Sequence, residues 1–158
     1  MAQLTIARLV DHPGVLDTVA GWIDTEWGQF SGRTLLETRE RFAQEQTGGA
    51  LPTSRIALEG ARPIGVATLR ERDSVDWDAG ATPWICNVFV GDEGRGKGVA
   101  GTLCRALEAI ALELGYPHVY LATVMSAGSL YHRLGYEQYR RYDALGYPMY
   151  LMRRRSAA

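Results

Sequence analysis

The 158-residue chain reads as one α+β domain, a mixed and mostly antiparallel sheet of six or seven strands with helices on both faces. Three observations predict it. The apolar, β-branched and aromatic run WICNVFV (84–90) leads through a glycine-rich turn into an apolar stripe at Val99, Leu103, Leu107, Ile110 and Leu114. Steps of four, four, three and four put that stripe on one face of a helix, so this stretch reads strand, turn, helix. Residues 54–59 and 63–73 flank Gly60-Ala61-Arg62, a hairpin signal. Residues 137–143 and 147–153 form a second strand pair joined near Leu145-Gly146.

The remaining elements follow in order. Residues 4–10 alternate as a first strand, and Asp11 with Pro13 signals a helix start. That helix runs to Trp27 with Val15, Leu16, Val19, Ala20, Trp22 and Ile23 on one face, and Gly28 ends it. Thr34 caps a second helix to about residue 46, with Leu35, Arg39, Phe42 and Ala43 as its stripe. Residues 70–83 are a polar loop carrying Glu71, Asp73, Asp76 and Asp78. Gly115-Tyr116-Pro117 stops the long helix. Residues 118–123 are a strand, and residues 126–134 a short helix closed by Gly135.

Composition narrows the function classes. Hydrophobic residues are 46%, charged residues 22%, and the net charge is -1, as in ordinary globular proteins. Nothing global points to nucleic acid or an acidic membrane, and the basic run Arg153-Arg154-Arg155 reads as a solvated tail. There is no signal-peptide pattern and no spanning apolar run, so the expected address is cytoplasmic. Cys86 and Cys104 read as small buried hydrophobes, and His12, His118 and His132 are scattered, so no metal is expected.

Chemistry concentrates between Gly91 and Leu114. A helix start has unpaired N–H groups and partial positive charge, and glycines let an anion approach closely. Three phosphate-binding patterns compete. Gly91, Gly96 and Lys97 fit a mononucleotide loop, but Gly98 stands where a Ser or Thr would hold magnesium. Gly96, Gly98 and Gly101 spell a dinucleotide fingerprint, but GDEGR separates them from the strand and no acidic residue ends residues 118–123. The third pattern is R/Q-x-x-G-x-G/A, matched by Arg95-Gly96-Lys97-Gly98-Val99-Ala100. It is followed, one strand later, by Ala127-Gly128-Ser129-Leu130-Tyr131-His132-Arg133-Leu134-Gly135-Tyr136, an A-x-x-L-Y-x-x-x-G-F/Y segment.

Together these two motifs resemble the GNAT superfamily of acyl-CoA-dependent N-acyltransferases, over about residues 54–153 and more loosely before them. The resemblance implies a splayed pair of central strands that admits the pantetheine arm of acetyl-CoA. It implies that backbone from Gly96 to Gly101 holds the pyrophosphate, with Arg95, Lys97, Val99 and Ala100 in the same loop and Ser126 also against the cofactor. Val88, Phe89 and Val90 would pair with pantetheine like an added strand. Tyr131 stands at the family's general-acid position. A phenol titrates near ~10 and a thiol near ~8.5, so full proton transfer is uphill by about 2 kcal/mol and hydrogen bonding to the leaving sulfur is the larger part of its role.

The base is left open by departures from the family pattern. Ala122 and Trp84 stand where relatives carry strand carboxylates, and Val124-Met125-Ser126 lacks a common Asn. Glu26, Glu71 and Asp73 are the candidates, beside an ordered water chain. The first two helices would wall the acceptor site, with Trp22, Glu26, Trp27 and Phe30 near it. The tyrosines at 136, 139, 142, 147 and 150 either line that site or stabilise sheet pairs. The expected activity is acetyl transfer from acetyl-CoA to a primary amine, a small molecule or a peptide N-terminus, without a metal. The rival is a non-catalytic acyl-CoA-binding module, and a homodimer through the terminal strands is compatible with either.

Overall fold

The computed structural model describes residues 3–45, 49–124, 129–144 and 146–156. Seven strands form one sheet in the order β1-β2-β3-β4-β5-β7-β6. The strands are β1 (Leu4–Arg8), β2 (Thr53–Glu59), β3 (Arg62–Arg70), β4 (Trp84–Val90), β5 (His118–Thr123), β6 (Glu137–Ala144) and β7 (Tyr147–Arg155). The helices are α1 (Leu16–Ser31), α2 (Leu35–Glu45), α3 (Val99–Glu113) and α4 (Leu130–Arg133). Every pairing is antiparallel except one. β4 and β5 are parallel because α3 carries the chain back across the sheet between them.

The side-chain period of two splits the strands between two cores. Ala57, Ala67, Leu69, Ile85, Val119 and Leu121 face α3, whose Val99, Leu103, Leu107 and Ala111 are almost wholly buried. Each buried Val or Leu among them contributes roughly 2 kcal/mol, far more than helix propensity can, so burial fixes where α3 lies. Ile56, Leu58 and Val66 face the other way, against Leu16, Val19 and Ile23 of α1 and Phe42 of α2. A third cluster, Trp84, Leu151 and Ala81 with Trp77, Tyr120 and Tyr139, is capped by the loop after β3.

Two irregularities open the sheet. Along β3, Val66 faces Phe89 and Thr68 faces Cys86, so Asn87 and Val88 of β4 share Ala67 as a β-bulge. Asn87 carries the bulge at φ 56°, a left-handed conformation that Asn tolerates better than most residues. Beyond it β4 departs from β5. The two strands pair only at Trp84 and Tyr120, whose N–H donates to the Pro83 carbonyl at 3.0 Å.

Several sequence expectations shift by a turn. β1 ends at Arg8, because Leu9 is drawn into the core by a 3-10 turn over Leu9–Asp11. Gly28 does not end α1, which continues to Ser31 and stops where Gly32 takes φ 69°. In α2, Thr34 and Glu37 form a reciprocal capping box with bonds of 2.8 and 3.1 Å. Its inner face is Thr38 and Phe42, while Leu35 is half exposed. β3 stops at Arg70, so Asp73 lies in the loop. The short helix starts at Leu130, and residues 126–128 of its expected first turn lie outside the described residues.

Candidate active site

The loop after β4 meets the requirements of an anion cradle. A 3-10 turn over Asp92–Gly94 is followed by Gly96 at φ 75° and Gly98 at φ 74°. A Cβ at either glycine would meet no protein atom within 4 Å, so no packing contact explains them: the left-handed backbone and the open space do. No side chain caps α3, and its first intrahelical bond runs from Thr102 N–H to the Gly98 carbonyl at 3.0 Å. The N–H groups of Val99, Ala100 and Gly101 are therefore left for a ligand. Gly101 has a second reason to be small, since its Cβ would lie 3.3 Å from Leu134 of the loop after α4.

The charged side chains of the loop are engaged elsewhere. Arg95 pairs with Asp92 at 2.9 Å and donates to the Val90 carbonyl at 3.3 Å. Lys97 reaches Glu59 at 3.1 Å, and Glu93 faces Arg62 at 3.4 Å. The positive character of the cradle comes from backbone amides and the helix dipole.

The open edge of β4 lies beside this cradle. Val88 and Val90 pack toward α3, whereas Phe89 points to the opposite face and stacks on Trp22 of α1, with ring centroids 5.3 Å apart. Trp27 also packs into that core, and Phe30 meets Tyr147 edge to face at 6.1 Å. Tyr131 packs against the α3 core and meets Tyr136 edge to face at 6.1 Å. Burial, with Cys104 nearby, pushes its phenol well above the ordinary value of 10, so it stays a proton donor. Tyr136 is itself buried and donates to Glu108 at 3.0 Å, a structural role.

A web of polar groups lies on the other face under the bulge. The Asn87 amide donates to Thr68 Oγ1 at 3.5 Å, Thr68 shares a 2.8 Å bond with Ser54, and Ser54 donates to Glu45 at 3.2 Å. Arg70 closes on Glu45 as an ion pair. Burial outweighs these partners and raises the Glu45 pKa. Asp73 is half-buried, accepts from Ser74 N–H at 2.6 Å and Trp77 Nε1 at 3.3 Å, and its pKa is also raised, first by burial. It acts electrostatically on Cys86, the residue before the bulge. Glu26 and Glu71 are exposed, Glu26 on α1 and Glu71 in the loop after β3.

The arrangement brings Asp73 toward β4 and the glycine loop beside its open edge. Ser126 lies outside the described residues. Sequence reasoning missed Asn87 and the chain from Glu45 to Thr68. An Asn inside an apolar strand was the available signal for the first. For the second there was none, because Glu45 ends a polar helix and its burial depends on β2 and β3.

The geometry has parallels. The sequence matches the acetyltransferase (GNAT) family over residues 18–136. No curated protein sequence matches it significantly. Among solved structures, an N-acetyltransferase from Staphylococcus aureus Mu50 superposes with a TM-score of 0.78, with 16% identity over 99% of this chain and 100% of that one. An aminoglycoside 6'-N-acetyltransferase complexed with coenzyme A gives 0.73 at 14% identity, covering 98% of each chain. A spermidine/spermine N-acetyltransferase from Vibrio cholerae gives 0.69 at 19% identity, covering 98% of this chain and 93% of that one. With the family match extending from α1 through Tyr136, the chain belongs to the GNAT family of acetyltransferases.

Proposed function

We propose that this protein transfers an acetyl group from acetyl-CoA to a primary amine, by direct attack while both are bound. The observation that carries the reading is the opening between β4 and β5 beside the uncapped, glycine-led start of α3. That combination fits a cofactor with a pyrophosphate at one end and an extended arm that needs a strand edge. The solved relative that holds coenzyme A supports it.

Acetyl-CoA supplies the acetyl thioester; the chain supplies position and protons. Backbone from Gly96 to Gly101 holds the pyrophosphate, and the edge of Val88–Val90 holds the arm. Asp73 takes the proton from the acceptor ammonium, directly or through a water. An alkylammonium titrates near ~10.4, so a base near the bulge is needed. Tyr131, kept protonated by burial, donates to the leaving sulfur. Neither thiol competes as a nucleophile: burial pushes Cys104 up to about 12 and Cys86 higher still.

Asp73 must be ionised to act, and its pKa lies above the ordinary 3.8. The rate therefore falls as pH drops through that raised value. In Asp73→Asn, kcat/KM drops about tenfold or more and this acid limb disappears. An unchanged profile removes Asp73 from the mechanism. A second reading, a non-catalytic acyl-CoA-binding module, is favoured by Trp84, which fills a strand-carboxylate position with a buried ring. It predicts acetyl-CoA binding with no thiol release for any amine.

A further inference from the structure

The polar web under the β4 bulge has one direction. Glu45 lies at the end of α2 with its side chain nearly buried. As a carboxylate it only accepts, from Arg70 on Oε1 and from Ser54 Oγ on Oε2 at 3.2 Å. Ser54 has a single hydroxyl proton, and that bond uses it. In its 2.8 Å bond with Thr68, Ser54 is therefore the acceptor. Thr68 spends its own proton there, so toward Asn87, at 3.5 Å, it can only accept. An amide facing such an oxygen turns its nitrogen inward. Every bond from Asn87 to Glu45 thus donates toward Glu45.

This leaves one acceptor atom over. With Nδ2 held by Thr68, Asn87 Oδ1 is turned away from the web, and among the described residues no donor reaches it. Asn87 is partly exposed and stands beyond Trp84, where β4 makes its one pairing with β5, so the strand edge beside it is open. Ser54 and Thr68 lie two residues from Ile56 and Val66, on the face that packs against α1 and α2. The free oxygen therefore sits where the open edge meets the proposed acceptor side.

We propose that Asn87 Oδ1 binds an N–H of the attacking amine, and that Thr68 and Ser54, anchored on Glu45, are positioning residues that hold it in that orientation. This rests on the acetyltransferase reading and gives it a preference for nitrogen. An alkylammonium carries three protons. The base takes one, and the neutral amine keeps two. One of these meets Oδ1, which fixes the direction of the nitrogen lone pair. As the C–N bond forms and the C–S bond breaks, nitrogen loses a second proton, which replaces the one that Tyr131 gives to sulfur. The third stays on the amide product. A hydroxyl acceptor yields its only proton to the base and has none left for Oδ1.

The test measures thiol release with benzylamine, glycinamide and spermidine, beside acetyl-CoA affinity by titration. Asn87→Gly keeps the left-handed backbone and removes the oxygen. It lowers kcat/KM for the best of these amines about tenfold or more, with acetyl-CoA affinity near wild type. Thr68→Val loses the hydroxyl at nearly the same volume and gives the same split, while Thr68→Ser retains most of the rate. Ser54→Ala tests the direction. It frees the Thr68 proton for Asn87, so the amide turns over, presents its nitrogen to the amine, and kcat/KM falls as in Asn87→Gly. NMR of the free protein reads the orientation without turnover: an Asn87 Nδ2 proton exchanges slowly in the wild type and fast in Thr68→Val. Unchanged kcat/KM in Asn87→Gly or Ser54→Ala overturns the proposal, as does equal exchange in wild type and Thr68→Val. Parallel loss of amine turnover and acetyl-CoA affinity overturns it too, since the web would then only support the bulge. No thiol release from any amine by wild-type protein with acetyl-CoA bound overturns the acetyltransferase reading, and this one with it.

Discussion

At Tyr131 burial and chemistry agree. A phenol packed against Tyr136 and the α3 core cannot ionise cheaply, so it enters any reaction as a donor. Tyr131→Phe removes one hydroxyl and little packing. It lowers kcat about tenfold or more, about 1.4 kcal/mol of barrier, with CoA affinity and Tm close to wild type. Steady-state kinetics beside CoA titration checks this, and unchanged kcat removes Tyr131 from the mechanism. The loop residues act differently. Arg95 and Lys97 look like phosphate ligands in sequence, but their charges are taken by Asp92 and Glu59. Gly96 and Gly98 carry the cradle instead, through backbone geometry that a side chain would strain.

The decisive element is β4, where one extra residue turns a sheet strand into an open edge. The bulge rests on Asn87 in the left-handed region, with its amide held by Thr68. A β-branched residue there costs about 1–2 kcal/mol of strain, whereas glycine costs none of it. Asn87→Val therefore lowers Tm by several degrees and reduces acetyl-CoA affinity, and Asn87→Gly retains more of both. Thermal unfolding of the two variants checks the order; equal Tm values mean that the conformation at Asn87 is not what holds the bulge. Legibility follows the same logic. WICNVFV and residues 118–123 were bounded correctly because their apolar runs are short and flanked by turn residues. α1 was cut short because Gly28 looked like a terminator. Its Cβ would lie 2.7 Å from Asp24 Oδ1, so a local side-chain contact favours glycine there within a continuing helix. The splay itself is a property of pairing between strands, and only the family resemblance implied it.

Across the whole molecule the sheet separates two tasks. One side holds α3, the glycine loop and α4, which suit a long anionic cofactor. The other holds α1, α2 and the polar web of Glu45, Ser54, Thr68 and Arg70, and is the proposed acceptor side. The gap between β4 and β5 joins them. The two motifs made the cofactor side readable in sequence. The opposite face was only partly so: the first two helices and Asp73 were named from the sequence, but Glu45, Ser54 and Thr68 come from α2, β2 and β3 and share no spacing. Among the described residues no helix is long and apolar enough to cross a membrane.

The central claim is that this fold binds acetyl-CoA through the glycine loop and the open edge of β4. Thermal unfolding with acetyl-CoA, CoA or MgATP tests it most directly. A ligand at ~100 times its dissociation constant adds about 2.7 kcal/mol to the native state. A rise in Tm of several degrees with acetyl-CoA and CoA, and none with MgATP, is the expected result. A rise with MgATP alone contradicts it, as does no rise with any of the three, which would leave residues 95–101 as only a turn.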